Sequence, residues 1–569
     1  MKKHKIGRQE IIAARETLKR YKQGKANLEK RIVENEQWYR LRHWECMRKG
    51  NSEVEPVSGW LFNAIANKHA DAMDNIPAAN ILPREEDDRQ EAQMLSAIVP
   101  VILEQNDFEG VYHRLWDHKL RSGTGIYGVF WDKSRLGGLG DISIQRVDAL
   151  NLFWEGGITD IQQSRNLFHV DLQDDDLLIA AYPQLEGKLG DQGELQRYLY
   201  DDAVDLSGKS AVVDWYYKKD GKLHYCKFVN DTLLYASENE GLESWYDHGL
   251  YPFVFDPLFG VEGTPCGFGY IDVGKSAQEY IDRGNQGILQ NLLANVRPRH
   301  FIRNDGSVNE QEYADMTKDF VHVDGQLGRD SILPIQGAPL AGIYVEVIQN
   351  KVDELKEVTG NRDISTGGTA SGVTAASAIA AMQEAGSKLS RDHNKASYRA
   401  FRNMVGMVIE LIRQFYDLPR VFRITGDDGM VRFESYSNAR LRPVRQEGGF
   451  GVDLGMRLPV FDVSVTAQRK SPYSRMSQNE LALQFYNAGF FDPVNAEAAL
   501  ACLDMMDFDG KAMVMNRIQA RAQSLPSVPG AAYPNAAPVH KTLVLKGEKG
   551  ESHVTRNARQ RVAEATAPT

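Results

Sequence analysis

VDELKEVTGNRDISTGGTASGVTAASAIAAMQEAGSKLSRD, residues 352–392, sets a small, glycine-rich segment between two helical patterns. On its N-terminal side Ile348, Val352, Leu355 and Val358 recur at i, i+4, i+7 and i+10, which predicts an amphipathic helix from about Gly342 to Thr359. On its C-terminal side the chain is first alanine-rich. It then carries Phe401, Val405, Val408, Ile412 and Phe415 at spacings of four and three, a heptad-like stripe within a helical region over 374–417 that reads as a core face or a seam between subunits. Residues 361–374 between the two patterns are short of large apolar groups, can bury little, and read as a mobile loop.

Upstream, Asp272 to Val296 reads as another long helix with a seam of Tyr280, Ile281, Ile288, Leu289, Leu292 and Leu293. Gly284 and Gly287 would let a second helix approach closely, and Pro298 ends the pattern. Residues 297–340 contain two strand-like pieces around a short helix that starts near Ser307. Two similar helices thus bracket a small module, an arrangement suited to a stalk with a small domain at its far end.

Further out, helices are predicted over 9–45, with a possible break at Gly24, and over 60–73, 91–106 and 113–122, the acidic ILPREEDDRQ at 81–90 serving as a separator. Strands follow from GTGIYGVFWD at 123–132 through 141–256, where Asp220-Gly221 in WYYKKDGKLHYC is a strong hairpin signal. Asp174, Asp175 and Asp176 read as the N-terminus of a short helix, where carboxylates face the positive end of the dipole. Strands return over 420–466 with a second Asp-Gly turn, helices over 474–522, and then a Pro/Ala-rich tail from 526. The fold class is α+β.

The 569 residues would fill roughly three or four domains of ~150 residues. No uncharged apolar run reaches the ~18 residues of a membrane span. MKKHKIGRQE is followed by charges that interrupt any export signal, so the chain is expected to stay in a cytoplasm. Cys46, Cys226, Cys266 and Cys502 are far apart and are expected as buried thiols. The net charge of −10 is segregated: residues 1–50 carry +9, residues 537–569 carry +3, and the body between carries −22. Such a body repels a polyphosphate, which disfavours tight DNA wrapping. The basic N-terminal stretch either touches nucleic acid or an acidic partner, or is simply a solvated helix face.

Catalytic signals are near misses. Gly367–Thr374, GGTASGVT, fits the frame GxxxxGK[ST] except that Val373 replaces the lysine that must reach the phosphates, and the preceding segment is helical where a phosphate loop follows a strand. The pattern Gly267-Phe268-Gly269 lacks the third glycine of a dinucleotide fingerprint, and His113 and His118 are wrongly spaced for a shared metal and read as surface or packing residues. No catalytic residue, metal or cofactor is expected, which favours a structural or conduit role.

The order of these elements resembles the portal protein of tailed bacteriophages and prophages over about 59–525. The resemblance rests on LRSGTGIYGVFWD (120–132), QRVDALNLFWE (145–155) and, above all, the loop of 352–392 with its flanking helices. It implies a portal fold with helical stem and crown, a mixed α/β wing and a small α/β clip. Residues 1–58 are then an N-terminal basic region, 59–271 and 375–473 the wing, 272–296 and 341–360 the stem, 297–340 the clip, 361–374 a tunnel loop, 474–525 the crown, and 526–569 a flexible tail.

The resemblance further implies a homo-oligomeric ring, of twelve subunits at one capsid vertex, assembled in the host cytoplasm. Double-stranded DNA passes through it during packaging and ejection. Its partners would be the large terminase, then a head-to-tail adaptor, and the major capsid and scaffolding proteins, with no membrane. The tunnel loop would present Arg362, Asp363, Ser365, Thr366, Gly367, Gly368, Thr369, Ser371 and Gly372. The stem would present Glu346, Lys351, Asp353, Glu354, Lys356 and Glu357 to the channel, and the clip Arg297, Arg299 and Arg303 to terminase or adaptor. Two other readings stay open: a nucleotide-dependent DNA enzyme using 367–374 as a degenerate phosphate loop, and a generic virion scaffold.

Overall fold

The computed structural model describes residues 5–47, 54–191, 205–296, 300–302, 309–315, 332–334, 341–360, 388–425, 431–447, 453–469, 482–490, 496–504 and 511–523, with isolated positions 193, 195, 197, 198 and 322. The chain divides into two units, Met1–Arg475 and Met476–Thr569.

The first unit opens with α1 (Arg8–Tyr39), α2 (Trp60–Met73), β1 (Asn75–Pro83), α3 (Arg89–Gln105) and α4 (Phe108–Ser122). Strands β2 (Thr124–Asp132), β3 (Asp141–Arg146), β4 (Leu152–Trp154) and β5 (Asn166–Asp174) lead to α5 (Asp175–Ala181). Then come β6 (Lys209–Lys219), β7 (Lys222–Val229), β8 (Thr232–Ala236), β9 (Phe253–Pro257), β10 (Phe259–Gly260) and β11 (Gly267–Phe268). Strands β2 to β11 form three sheets. One is three-stranded in the order β3-β2-β9, the second is an antiparallel meander, β4 to β8 in sequence order, and the third pairs β10 with β11.

The meander is legible because Asp220 and Gly221 both take positive φ, 52° and 75°, the primed turn that matches strand twist, and Lys219 pairs with Lys222 across it. Asp174 stands at the N-cap position of α5, with Asp175 and Asp176 in its first turn, as the charge pattern predicts. After the segment described in the next subsection, α9 (Lys388–Phe415) runs through the main core. Phe401, Met404, Val405, Val408, Leu411 and Ile412 are fully buried, so the heptad-like stripe is a core face within one subunit. Phe415, at its end, is half-buried and stacks on Trp131 at 4.6 Å.

Three expectations change. Helix α1 runs unbroken through Gly24, because side chains on both sides of it, Ile11, Ala14, Lys25 and Ile32, are buried and hold the helix along its length. Residues 81–83 are not merely a separator: they end β1, which pairs antiparallel with β18 (Phe461–Arg469), Asn75 opposite Arg469. Pro77 and Pro83 mask that strand in the sequence, and its partner lies nearly 400 residues downstream. Cys226 and Cys266 are buried, but Cys46 is exposed and Cys502 half-buried. Of the two readings open for His118, the structure has the packing one: it is buried, with its Nε2 2.8 Å from Tyr198 Oη.

Between α9 and β18 lie two further two-stranded sheets: β14 (Arg420–Thr425) with β15 (Val431–Tyr436), and β16 (Val444–Glu447) with β17 (Asp453–Arg457). The second unit contains α10 (Ala496–Asp504) and α11 (Lys511–Gln523), which bury Leu503 and Ile518 with Phe485.

Two buried cations tie the first unit together. Lys119 on α4 donates to Asp256 Oδ1 (2.8 Å) and Ser397 Oγ (2.6 Å), and Ser397 donates to Asp256 Oδ2 (2.6 Å), joining α4, β9 and α9. Lys25 on α1 donates to the Ala149 and Leu152 carbonyls, pairs with Glu29 at 3.4 Å, and lies over the Phe153 ring at 4.5 Å, pinning α1 to the meander. Burial lowers the Lys25 pKa from its ordinary 10.5 to about 8, although Glu29 opposes the shift.

Removing one partner of a buried pair strands the other charge. Lys119→Ala should therefore destabilise the unit by about 3–5 kcal/mol in denaturant unfolding. For Lys25 the folded state releases its proton at lower pH than the unfolded chain. Its burial penalty is full below about pH 8 and is relieved as pH rises toward 10.5. Stability relative to a Lys25→Met variant should rise across that window, as read by unfolding at matched pH values.

Candidate functional site

The helices on either side of 297–340 form the site. α6 (Tyr270–Val296) and α8 (Ile343–Thr359) are antiparallel, since Gly274 lies against Thr359 and Gly284 against Ile348. Their shared core is small: Ala277 and Ile281 from α6, Val352 and Leu355 from α8, with Ile348 packed against them. Gly284 is the point of closest approach, as a Cβ there would sit 2.9 Å from Ile348 Cγ1. Gly287 faces open space. The expected seam of α6 is thus only partly a seam within one subunit: Ile281 is buried, Ile288 and Leu289 half-buried, while Tyr280, Leu292 and Leu293 are exposed. On α8 the same holds for Val358, which is exposed although Val352 and Leu355 are buried.

The first half of α6 is enclosed by the N-terminal region. Asp282, fully buried, accepts from His43 Nε2 (2.7 Å), from the Ser58 amide (3.0 Å) and hydroxyl, and from Gln278 Nε2 (2.9 Å). Gln278 Oε1 in turn accepts the Leu61 amide, and Leu61 Cδ1 would meet a Cβ on Gly274 at 2.6 Å. Every carboxylate lone pair that burial takes from water is thereby replaced.

The second half differs. Leu292, Leu293 and Val296 on α6, and Ile343, Tyr344, Val345 and Val347 on α8, are between 47% and 69% exposed. Because the helices are antiparallel, these residues gather at one end, beside 297–340. The sequence reading missed the α8 members, although four apolar side chains within Ile343–Val347 exceed what one buried helix face needs.

Around α8 the charged residues are ordered too. Glu346, Asp353 and Glu357 fall within roughly 40° of one another at 3.6 residues per turn, on the side away from the α6 contact, with Glu354 at the margin. Val347 and Val358 fall about 100° to one side of that acidic face and Val345 about 100° to the other. Lys351 Nζ bonds Glu354 at 2.6 Å and lies 5.3 Å from the Tyr280 ring centre, and Lys356 lies 5.8 Å from that of Trp60.

Within 297–340, β12 (His300–Ile302) pairs antiparallel with β13 (Ile332–Pro334), and α7 (Glu310–Ala314) is capped by Asn309. That agrees with two strands around one short helix. Arg297, Arg299 and Arg303 lie outside the described residues, as does all of 361–374, including Arg362, Asp363, Ser365, Thr366, Gly367, Gly368, Thr369, Ser371, Gly372 and the phosphate-loop frame.

One side-chain cluster has the composition of a hydrolytic triad: Ser122 Oγ is 2.9 Å from His118 Nδ1, and His118 Nε2 is 3.7 Å from Asp148. Ser122 and His118 are buried, and the Ser122 hydroxyl is aimed at the His118 carbonyl (2.8 Å), so its proton serves the helix end. Among the described residues no group of three or more His, Cys, Asp or Glu could hold a metal ion, and no helix is long and apolar enough to cross a membrane.

Residues 262–542 match the family model described as phage P22-like portal protein. The match begins just before α6 and takes in α6, 297–340, α8, α9 and the second unit's helices. No curated protein matches the chain significantly.

The close approach at Gly284 makes a direct prediction. Gly284→Val should cost about 1–3 kcal/mol by overpacking against Ile348. Gly287→Ala, which meets nothing, should leave stability unchanged or raise it by up to about 1 kcal/mol. Amide hydrogen exchange along 343–359 distinguishes the two.

Proposed function

The chain belongs, through its residues 262–542, to the phage P22-like portal protein family, and on that premise we propose that twelve copies close into a ring around an axial channel for double-stranded DNA. The observation that carries this reading is the exposed apolar surface on both flanks of the α6–α8 pair. Leaving so many large side chains in water costs about 25 cal/mol per Å² of apolar surface, and a neighbouring copy on each flank relieves it. A head-to-tail contact, one flank of each copy against the other flank of the next, gives a ring when its rotation closes.

In that ring the acidic face of α8, with Glu346, Asp353, Glu354 and Glu357, turns toward the axis. A wall of carboxylates offers a duplex no deep phosphate-binding minimum, which suits sliding. Lys351 and Lys356, held by Tyr280, Glu354 and Trp60, temper that field. Residues 272–296 and 341–360 are then the stem, and 297–340 the clip, where Arg297, Arg299 and Arg303 meet the large terminase during packaging and a head-to-tail adaptor afterwards. Residues 361–374 form the loop that touches passing DNA through Arg362 and its small neighbours. The strand-rich parts of the first unit form the wing, facing the capsid and scaffolding proteins, and 474–525 the crown. This reading gives the chain no reaction of its own.

Sedimentation velocity on the purified chain tests it. The wild-type chain should form large closed assemblies, and Leu292→Asp combined with Val347→Asp should give monomers with an unchanged circular dichroism spectrum. A wild-type chain that stays monomeric under all assembly conditions, or a variant that assembles normally, contradicts the reading.

A further inference from the structure

Gly360, at the end of α8, and Ser390, on α9, lie 30 residues apart in the chain, yet both are bound by one side chain of a third helix. Lys68, on α2, donates from Nζ to Ser390 Oγ at 2.9 Å and to the Gly360 carbonyl at 3.4 Å. Ser390 Oγ donates onward to Asp71 Oδ2 at 2.9 Å, and Asp71 lies 3.9 Å from Nζ, so the cation and a carboxylate one turn apart on α2 both hold α9 at Ser390.

Three further features show that this junction is built. Gly360 caps α8 in the left-handed conformation (φ 65°), and its carbonyl joins the last ones of the helix, which have no partner within it and carry the negative end of the dipole; a cation is favoured there. Thr359, fully buried, turns its hydroxyl back to the Leu355 carbonyl, so the α8 end is fixed before Lys68 meets it. Finally, the space among Lys68, Asp71, Trp116, Tyr270, Ser390 and His393 is a cavity of about 10 Å³, at the threshold for a single water. Burial holds the Lys68 pKa below its ordinary value and pushes the neighbouring His393 down to about 4, so His393 is neutral and Lys68 is the cation of the junction.

We propose that Lys68 is a latch: it locks the C-terminal end of α8 to α9 at Ser390, so that Gly360 and Ser390 are anchored at one point on α2. Displacement of one helix is then passed to the other through a charge-assisted contact. A buried ammonium without its partners is costly, so the contact is stable only with those partners in place. For the channel, which rests on the reading above, the consequence is mechanical: force on either helix reaches α2 and the core of the first unit.

Hydrogen–deuterium exchange on the full chain tests the latch without reference to DNA. In Lys68→Met, amides at 357–360 and at 390–394 should exchange at least tenfold faster, while those of α4 and β2 stay unchanged. Ser390→Ala, which keeps the cation, should accelerate the α9 end alone, and Lys68→Arg should restore protection at both ends. Unchanged exchange at either end in Lys68→Met, in a chain of wild-type circular dichroism, overturns the proposal. Global acceleration in Lys68→Met is set aside by the milder Ser390→Ala, in which wild-type protection at the α9 end likewise overturns it. DNA content of particles carrying Lys68→Met is a separate readout: exchange that has risen with packaging intact upholds the latch and contradicts the channel role of 361–374.

Discussion

The close packing of α6 on α8 at Gly284 is the constraint on which the rest of the arrangement depends. With no side chain at that position, Ile348 seats directly on the opposite backbone, and two long helices share a core of only a handful of residues. A contact so narrow leaves the sides of both helices uncovered. Among the described residues the pair gains its support at one end, where the Asp282 network and Leu61 enclose α6. On the proposed reading, a helical pair held at its root with exposed apolar side chains toward its tip suits a stalk beside which copies of itself stand.

Charge follows the same division. The first unit uses buried cations as internal ties: Lys25 between α1 and the meander, Lys119 between α4, β9 and α9, Lys68 between α2 and the ends of α8 and α9. Each costs desolvation and is stable only with its partners in place, so these contacts specify one arrangement of the helices. On α8 the carboxylates of Glu346, Asp353, Glu354 and Glu357 are instead exposed, gathered on the face away from the α6 contact. Ties inside and a smooth acidic surface outside are different uses of the same residue types.

Much of this was legible in the sequence where the cause is local. The Asp220-Gly221 turn, the acidic start of α5, the buried stripe of α9 and the two helices around 297–340 follow from turn chemistry and periodicity, and the structure has all four. Where the cause is distant, the sequence misled. β1 carries two prolines and pairs with a strand nearly 400 residues away, which no local pattern reports. The α6 seam was over-read, because periodicity shows that a face is apolar and not which chain covers it: Leu292 and Leu293 belong to the pattern of Ile281 but not to its core. The Lys68, Lys119 and Asp282 contacts were invisible, since each joins helices hundreds of residues apart through a single polar side chain.

Electron cryomicroscopy of the purified full-length chain tests the central claim most directly. The account predicts a closed ring with an axial hole, bounded by α8 with Glu346, Asp353 and Glu357 toward the axis and with Leu292, Val296 and Val347 buried between neighbouring copies. An assembly without a hole, or a ring in which those apolar side chains remain in solvent, would contradict it.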